Sequence, residues 1–426
     1  MGETDLHPWI KRLLVVIGLC GSICGAEPSD YSLHRAYTDA LKRSEDIGAQ
    51  TEVLTQTEEL EVQAKSQLYP TISSTVPLYS KVSKWGSDSG VSTPSNLAKI
   101  TLNQPLFRGF REYALVRARK AETEAQKLEL EEAKRQLYIS VASAYFTALS
   151  LQSDKSNFEL EIQANLKRLS DLKGFLRIGK AQQSDLLTFE TNIAALKAQL
   201  ENTLGQLHVA MESLTFLTGW PQDAILPTPV AEPRADKVDP FLAQIDDRPD
   251  VNALHSQVEA ERQNVKVQSG QHMPNLDLQA SYAFQKPGDP VGGGFSTQVV
   301  LTLPIFQGGA VNSETRAAES LVRQTEFQLS KAKRSADREI RQIFASLNAD
   351  LKQALELQNA AKLSQRNFDL MTTQFKHGLV TNLEVLQALT ASQDSQRLLV
   401  RAKIASQLDY FNLLAASGRL ADAEKM

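Results

Sequence analysis

The stretch that decides the fold is Phe375-Lys376-His377-Gly378-Leu379-Val380-Thr381-Asn382-Leu383-Glu384-Val385-Leu386. It lies between two long helical segments, and its pattern predicts the tip of a helical hairpin. About half the chain earlier the same skeleton occurs: an aromatic residue, a glycine, a carboxylate six residues after the glycine, and a leucine two residues further. This first version reads Phe175-Leu176-Arg177-Ile178-Gly179-Lys180-Ala181-Gln182-Gln183-Ser184-Asp185-Leu186-Leu187. Two tips of one design predict two hairpins.

The two tips belong to an internal repeat that covers most of the chain. Four matches share one offset of 199 positions: Pro105-Leu106-Phe107-Arg108-Gly109 with Pro304-Ile305-Phe306-Gln307-Gly308, Gly179 with Gly378, Asp185 with Glu384, and Gly219 with Gly418. Upstream, Asp46 and Pro70 match Asp250 and Pro274 at an offset of 204. The sequence therefore predicts one architecture written twice, with repeat one at about residues 30–220 and repeat two at about 248–420.

Each repeat reads helix, strand, loop, strand, very long helix, tip and helix. The first helical pattern covers residues 32–68 and ends before Pro70, because proline cannot continue a helix. The strands are predicted at residues 71–79, 97–105, 275–284 and 295–304, where apolar and polar side chains alternate. Such alternation fits a transmembrane β-barrel strand, but taken alone it favours the alternative, a soluble hairpin packed on a core.

The loops between the paired strands favour the membrane interpretation. Residues 80–95 and 285–294 are polar and rich in turn-forming residues, as external barrel loops tend to be. Four strands cannot close a barrel, and lipid does not tolerate an open sheet edge. A transmembrane sheet would therefore have to be completed by other copies of the chain.

The helical segments are unusually long. No proline lies between Pro105 and Pro221 or after Pro304, so each repeat can hold a helix of roughly 65 residues, which would extend about 100 Å. In repeat two, apolar positions from Leu321 to Leu351 step by four, four and three, a period that favours straight or right-handed packing. A soluble antiparallel coiled coil would explain these helices equally well, but it would not explain the strands.

Residues 1–26 have the pattern of a secretory signal peptide. A basic pair precedes a short apolar run and a small-residue exit, and the run is too short to span a membrane. Both cysteines, Cys20 and Cys24, lie in this segment, so the mature chain is expected to have none. A lipoprotein with one of them acylated is an alternative, although Leu19 and Ile23 stand where a small residue is usual.

Composition and motifs argue against several other classes. The formal net charge of −4 does not suggest a nucleic-acid binder. The six histidines show no paired metal-ligand spacing, and no motif for catalysis is present, so we expect neither an enzyme nor a cofactor or metal site.

At the tips, local chemistry predicts a helix stop followed by a restart. Gly378 suits the left-handed residue after a helix end, and Thr381 with Glu384 forms a capping box. The first tip has Gln182 opposite Thr381, so we expect Ser184 to be its cap and the box to be missing. A carboxylate kept at Asp185 without a capping partner would indicate a second role for the tip carboxylates.

On the doubled Pro-(Leu/Ile)-Phe-x-Gly motif, the doubled tip motif and the order of strands and helices, residues 30–420 resemble the TolC-like outer-membrane factors. The resemblance implies a mostly α fold with a transmembrane β part. In it, a homotrimer forms a twelve-stranded outer-membrane barrel that a periplasmic α-barrel continues, closed at the tips. Residues 220–247 and the stretch after Gly418 would form a belt around its middle.

The resemblance also implies the function. It is that of the exit duct of a tripartite efflux pump in a Gram-negative outer membrane, which conducts small molecules passively. The implied partners are a periplasmic adaptor, an inner-membrane pump and outer-membrane lipid, with no nucleic acid. The exit duct of a type I protein secretion system and, further off, a soluble periplasmic coiled-coil scaffold are the alternatives.

The resemblance assigns roles to individual positions of this chain. Three sets are implied: a pore gate at Asp185, Glu384 and Gln387; a tip that contacts the adaptor at Gly179, Lys180, Gly378, Leu379 and Thr381; and strand-to-helix junctions at Pro105, Gly109, Pro304 and Gly308. Position 387 is commonly acidic in the family, so the glutamine found here implies one ring of three carboxylates in the trimer rather than two such rings.

Overall fold

The computed structural model describes residues 31–76, 98–178, 181–228, 233–234, 237–284 and 293–419. The helices within these residues are α1 (Leu33–Arg43), α2 (Glu45–Ser66), α3 (Arg111–Arg177), α4 (Gln183–Thr218), the single turn α5 (Asp239–Leu242), α6 (Pro249–Ser269), α7 (Ala310–Lys376) and α8 (Asn382–Ala416). The strands are β1 (Thr71–Thr75), β2 (Lys99–Arg108), β3 (Asn275–Ala283) and β4 (Gly294–Thr302). The predicted signal peptide with Cys20 and Cys24, residues 77–97, and Gly179 with Lys180 lie outside the described residues.

The four strands form one antiparallel sheet in the order β1-β2-β3-β4. Its register places apolar side chains from neighbouring strands on a single face, as the pairs Ile72 with Leu102, Leu102 with Ala280, Leu278 with Val299 and Tyr282 with Phe295 illustrate. Several of these side chains are exposed, with 72% of Phe295 and 61% of Val299 accessible. Nothing within the described residues of one chain covers this face fully.

The opposite face of the sheet is polar and hydrogen-bonded across the strands. Gln298 Nε2 donates to Gln279 Oε1 at 2.9 Å, and the hydroxyls of Ser281 and Ser296 lie 2.8 Å apart. Near the end of the sheet, Arg108 Nη2 donates to Asp277 Oδ1 at 2.8 Å. The sheet is therefore apolar on one side and polar on the other, as alternation at period two requires.

The strand-to-helix junction of repeat one differs from the prediction. The strand was predicted to end at Pro105, but β2 continues to Arg108, and its register shifts between Pro105 and Phe107. Such an irregularity accommodates proline, which cannot donate a ladder hydrogen bond. In repeat two, β4 ends at Thr302, so Pro304 lies outside the strand.

Left-handed residues turn the chain from sheet into helix in both repeats. Gly308 and Gly309 have φ of 62° and 83°, and at the equivalent positions Gly109 and Phe110 have φ of 66° and 58°. A Cβ on Gly109 would lie 2.4 Å from the carbonyl oxygen of Gly270, whereas a Cβ on Gly308 would meet nothing within 4 Å. Among the described residues, Gly109 of the first junction is therefore packed against another part of the chain, whereas Gly308 of the second is not.

The helical pattern predicted as one element over residues 32–68 is two helices. Ser44 has an extended ψ of 114°, and its side chain accepts a hydrogen bond from the backbone N–H of Ile47 at 3.3 Å. Serine favours this conformation because it can cap the helix that follows. The prediction of an uninterrupted helix is wrong at this residue.

The helices α3 and α7 have 67 residues each and are thus about 100 Å long. Each reaches from the sheet to a tip, where the chain turns back into α4 or α8. We call the half of α3 nearest the tip together with α4 hairpin one, and the corresponding half of α7 together with α8 hairpin two. In the described part of the chain, no helix has the length and hydropathy to cross a membrane.

The main hydrophobic core lies near the midpoints of α3 and α7. It collects α1, the ends of α4 and α8, and Trp220, Ala224, Leu226 and Phe241 from the segment predicted as a belt. Tyr145 of α3 donates its hydroxyl to the carbonyl oxygen of Pro227 at 2.6 Å, and Trp220 Nε1 donates to Asp39 at 3.1 Å. These contacts fasten the segment after α4 to the middle of the long helices.

A buried arginine joins the start of α6 to α7 and α8. Arg248 is 2% exposed and donates to Asp250 at 2.9 Å, to Glu339 at 2.9 Å and to the carbonyl oxygen of Ala416 at 2.8 Å. Arg135, also buried, lies 3.8 Å from the second oxygen of Glu339. The guanidinium of Arg248 therefore pairs with two carboxylates and donates to the backbone carbonyl at the end of α8.

We expect Arg248→Met to destabilise the protein by about 3–5 kcal/mol, because it leaves partly buried carboxylates without their cation. Arg262→Met is the matched control, since Arg262 lies on α6, the helix that Arg248 precedes, in an exposed pair with Glu326, and its loss should cost about 0–1 kcal/mol. Thermal unfolding of the purified protein in detergent, followed by circular dichroism, measures both. Equal midpoints for the two variants would contradict the role given to Arg248.

Candidate functional site: the hairpin tips

The second tip is a tightly hydrogen-bonded turn. Gly378 has a φ of 74°, and its N–H donates to the carbonyl oxygen of Phe375 at 2.9 Å, while Leu379 N–H donates to that of Gln374 at 3.0 Å. These two bonds are the Schellman pattern that ends a helix at a left-handed glycine. The left-handed conformation predicted for Gly378 is confirmed.

The capping box predicted at the second tip is also confirmed. Glu384 N–H donates to Thr381 Oγ1 at 3.4 Å, and Glu384 Oε2 accepts from the backbone N–H of Thr381 at 2.6 Å and from its hydroxyl at 2.8 Å. These donors, the backbone N–H first and the hydroxyl second, lower the pKa of the exposed Glu384 carboxyl. Glu384 is therefore ionised at neutral pH.

The first tip has a cap that sequence reasoning did not find. Its N-cap is Gln182 rather than Ser184, and Asp185 Oδ2 accepts a hydrogen bond from the backbone N–H of Gln182 at 3.0 Å. Asp185 thus makes the same return contact that Glu384 makes at the second tip, so the prediction that the first tip lacks a capping box is wrong. The carboxylate at Asp185 is accounted for as a cap, so its presence is not by itself a sign of a second role.

The two tips pack against each other through equivalent aromatic residues. The rings of Phe175 and Phe375 meet edge to face with centroids 5.8 Å apart, and Leu386 of hairpin two joins a core cluster of hairpin one. The guanidinium of Arg168 lies 4.6 Å from the centroid of the Phe375 ring, on the side of α3. The tips therefore form one contact region rather than two separate turns.

A cleft of about 810 Å³ lies between the tips. Its lining includes Phe175, Asp185, Phe375, His377 and Asn382. The last of these is 4% exposed, and both polar atoms of its side-chain amide lack a hydrogen-bond partner within the described residues.

The predicted gate residues lie in different surroundings. Asp185 is half-buried in the cleft, whereas Glu384 and Gln387, one helical turn apart on α8, are exposed. Among the residues predicted to contact a partner, Gly378, Leu379 and Thr381 are exposed, with Leu379 at 73%. Gly179 and Lys180 fall outside the described residues, so their part of the prediction stays a prediction.

Sequence reasoning missed the contacts that hold the tips together. The sequence predicted Phe175 only as part of the repeat pattern, and it predicted no role for Arg168. Arg168 precedes Phe175 by seven residues on the same helix. That spacing of two helical turns was a signal that both face the same neighbour. Across the described ranges, no group of three or more His, Cys, Asp or Glu side chains is arranged to hold a metal ion.

Comparisons with known proteins identify the family that this chain matches. Residues 36–220 and 244–419 match the family described as outer membrane efflux protein. The chain is 26% identical to outer membrane protein TolC of Escherichia coli (strain K12) over an alignment of 353 positions that covers 78% of this chain and 71% of that protein.

Two solved structures show the same fold. The outer membrane protein VceC of Vibrio cholerae has a TM-score of 0.77 and 21% identity, with 91% of this chain and 96% of that chain covered. The open state of the Neisseria gonorrhoeae MtrE outer membrane channel has a TM-score of 0.74 and 19% identity, with 91% and 89% covered.

We expect Glu384→Ala to loosen the second tip, because the variant loses both hydrogen bonds that Thr381 donates to the carboxylate. Deuterium uptake by residues 379–386 at neutral pH should rise, while uptake by the first tip stays unchanged. As its pKa is lowered, wild-type Glu384 holds its cap until the pH falls through that lowered value, and uptake should approach the variant's only in acid. Glu356→Ala, an exposed mid-helix change, is the control. Uptake unaffected by Glu384→Ala would contradict the capping role.

Proposed function

This chain belongs to the outer membrane efflux protein family and is the outer-membrane exit duct of an efflux pump, and we propose that it works as a homotrimer gated at its tips. It resides in the outer membrane of a Gram-negative bacterium and extends into the periplasm. Members of this family are transport ducts rather than enzymes. Because the protein resides in the outer membrane, the alternative of a soluble periplasmic scaffold is excluded.

The proposal of a trimer is supported by the sheet, which has one apolar face, one polar face and two outer strands with unpaired edges in the described part of one chain. Within the described residues, β1 and β4 are the outer strands, and one face of the sheet is apolar and exposed. Lipid suits the apolar face, but it does not tolerate unpaired backbone groups at an edge. Three copies with four strands each close a barrel of 3 × 4 = 12 strands, with the polar face lining the lumen.

Below the barrel, the α3 and α7 helices of three copies continue the duct as an α-barrel. Each is about 100 Å long and meets the sheet at a left-handed turn, so one wall runs from sheet to tip. Substrate passes through the duct passively, because conduction needs a pore rather than a reaction.

The gate in this proposal is a ring of Glu384 residues, one from each copy. The exposure and lowered pKa of this carboxyl support it, since three ionised groups at a narrow mouth would attract cations strongly. Gln387, one turn further along α8, is uncharged, so the ring is single. Asp185 of the first tip lies half-buried in the cleft between the tips and adds negative charge beside the ring.

Opening is left to a periplasmic adaptor and an inner-membrane pump that engage the tips. Gly378, Leu379 and Thr381 present an exposed surface to such a partner, and Gly179 with Lys180 would complete it from hairpin one. A partner opens the duct only if it binds the open tips more tightly than the closed ones.

The cargo distinguishes a drug-efflux duct from the exit duct of a type I secretion system. A deletion strain should become sensitive to small toxic molecules if efflux is the role. Retained resistance together with loss of a secreted protein would favour the secretion duct instead.

The barrel proposal predicts opposite tolerance at neighbouring positions of β4. Val299→Lys places a charge on the lipid face and should cost about 2–4 kcal/mol near the membrane midplane, whereas Gln298→Lys points into the lumen and should be tolerated. The amount of heat-stable trimer recovered from outer-membrane fractions measures the difference. Equal recovery of the two variants would overturn the assignment of faces.

The gate proposal predicts a graded response to multivalent cations. In single-channel recordings, Glu384→Gln should weaken block by di- and trivalent cations, while Gln387→Glu, which adds a second ring, should strengthen it. Block that is unchanged in both variants would remove Glu384 from the gate.

A further inference from the structure

One side of α7 is open in the described part of one chain. In the half of the long helices nearest the sheet, α2 packs on α3, α3 on α6 and α6 on α7. Helix α3 therefore has a helix on each side there, whereas α7 has only α6. Ala118 and Ala125 of α3 are buried, but their equivalents 199 positions later, Ala317 and Gln324 of α7, are exposed. These exposed positions mark the side of α7 on which a second helix is missing.

The matching open surface lies on α2, at the other end of the same row of helices. Ala253 and Ala260 are buried in α6, which packs on both α3 and α7. The residues 204 positions earlier, Ala49 and Gln56 of α2, are exposed. The two open sides cannot meet within one chain, because α3 and α6 lie between them. They can meet when α7 of one copy packs against α2 of the next, which is a head-to-tail contact that a ring can close.

A charged pair at the α3–α6 junction indicates where such helices would meet. Arg135 of α3 and Asp250 of α6 line the same cavity. Burial raises the pKa of Asp250, but Arg248 and, to a lesser extent, Arg135 lower it below its usual value. The repeat keeps both residue types: Ala133-Lys134-Arg135 recurs as Ala332-Lys333-Arg334, and Asp250 corresponds to Asp46.

The equivalent charges on α7 and α2 have no partner among the described residues. Arg135 donates to Glu132 of its own helix at 2.7 Å, but the equivalent of Glu132 is Lys331, so Arg334 has a second cation beside it. Asp337, one turn after Arg334, accepts from Arg341 instead. The side chains of Arg334 and Asp46 are exposed and make no ion pair in this part of the chain.

The overall charge of α2 complements these cations. It carries six carboxylates and one lysine, whereas its equivalent α6 carries three carboxylates, one arginine and one lysine. Carboxylates in the first turn of α2 also favour the helix dipole, but that effect does not extend to Glu52 and Glu59 further along. The acidic surface of α2 therefore suits a basic neighbour from another chain.

We propose that Arg334 of one copy forms an ion pair with Asp46 of the neighbouring copy, and that this pair sets the register in which α7 packs against α2 of that neighbour. Lys331 adds a second cation near Glu45 of the same neighbour. Ser44 stands at the position equivalent to Arg248, so α2 brings no arginine of its own and the cations come from α7. This inference rests on the proposed function, because it assumes that copies of the chain assemble side by side.

Crosslinking in outer-membrane fractions tests the register. The mature chain is expected to have no cysteine, so Asp46→Cys with Arg334→Cys introduces two thiols and no others. A short bis-maleimide reagent spans the distance across an Arg–Asp pair, which exceeds the reach of a disulfide. Denaturing gels should then show covalent dimers and trimers.

The matched control for crosslinking is Asp46→Cys with Arg323→Cys. Arg323 lies 11 residues before Arg334 on the same side of α7, about 16 Å away. This pair should give several-fold less covalent dimer and trimer, because the thiols then lie out of register. Each single cysteine variant should give none.

Charge reversal tests the ion pair itself. Arg334→Asp places like charges together and should lower, by several degrees, the temperature at which the heat-stable trimer dissociates on gels. Asp46→Arg combined with Arg334→Asp should restore that temperature. Lys127→Asp is the control, because Lys127 pairs with Glu124 of its own helix on α3, and it should leave the temperature unchanged.

The outcomes separate this inference from the proposed function. Heat-stable trimers that crosslink no better at Arg334 than at Arg323 would overturn the register. Crosslinking in register without rescue by the charge swap would overturn the ion pair. A wild-type protein that runs as a monomer under native conditions would contradict the proposed assembly itself.

Discussion

Helices of 67 residues cannot be held straight by their own hydrogen bonds, and the rest of the molecule depends on how they are supported from the side. The stability of such helices comes from packing rather than from propensity. In this chain, α1, the segment after α4 and the end of α8 gather around the midpoints of α3 and α7, where Arg248 joins three elements by ionic and carbonyl contacts. The belt therefore holds the long helices in place at their midpoints, with the sheet at one end of these helices and the tips at the other.

The duplication gives two halves that share a plan but differ in how each position is used. Glu384 and Asp185 both cap a helix at a tip, yet one is exposed and the other lies in the cleft. Gly309 and Phe110 both adopt the left-handed conformation, although only glycine does so without steric strain. Equivalent positions in a repeat therefore share backbone geometry more reliably than they share side-chain surroundings.

What the sequence predicted well was local. Four predicted features depend on only a few neighbouring residues, and all four are present in the structure: the glycine turn, the capping box at Thr381, the alternating strands and the long helices without proline. Three local predictions were wrong for equally local reasons: Ser44 caps a second helix, a bulge lets β2 continue past Pro105, and Gln182 rather than Ser184 caps α4.

The contacts between distant segments could not be predicted in the same way. Arg401 and Asp154 are 247 positions apart, and Arg248 and Glu339 are 91 apart. A single sequence does not say which charged residues will meet once helices pack. The same limit applies to the tips: the cap at Thr381 was predicted from the sequence, but the contact of Phe175 with Phe375 depends on the packing of two hairpins.

The close approach of Gly109 to Gly270 has a consequence for the order in which the molecule can assemble. The turn that leads β2 into α3 is complete only when the end of α6, from the other half of the chain, lies against it. During export the first half emerges before the second, so its sheet and its long helix lack their final joint until the later half arrives. Folding of the two halves is therefore coupled, because neither repeat can complete its structure before the other is present.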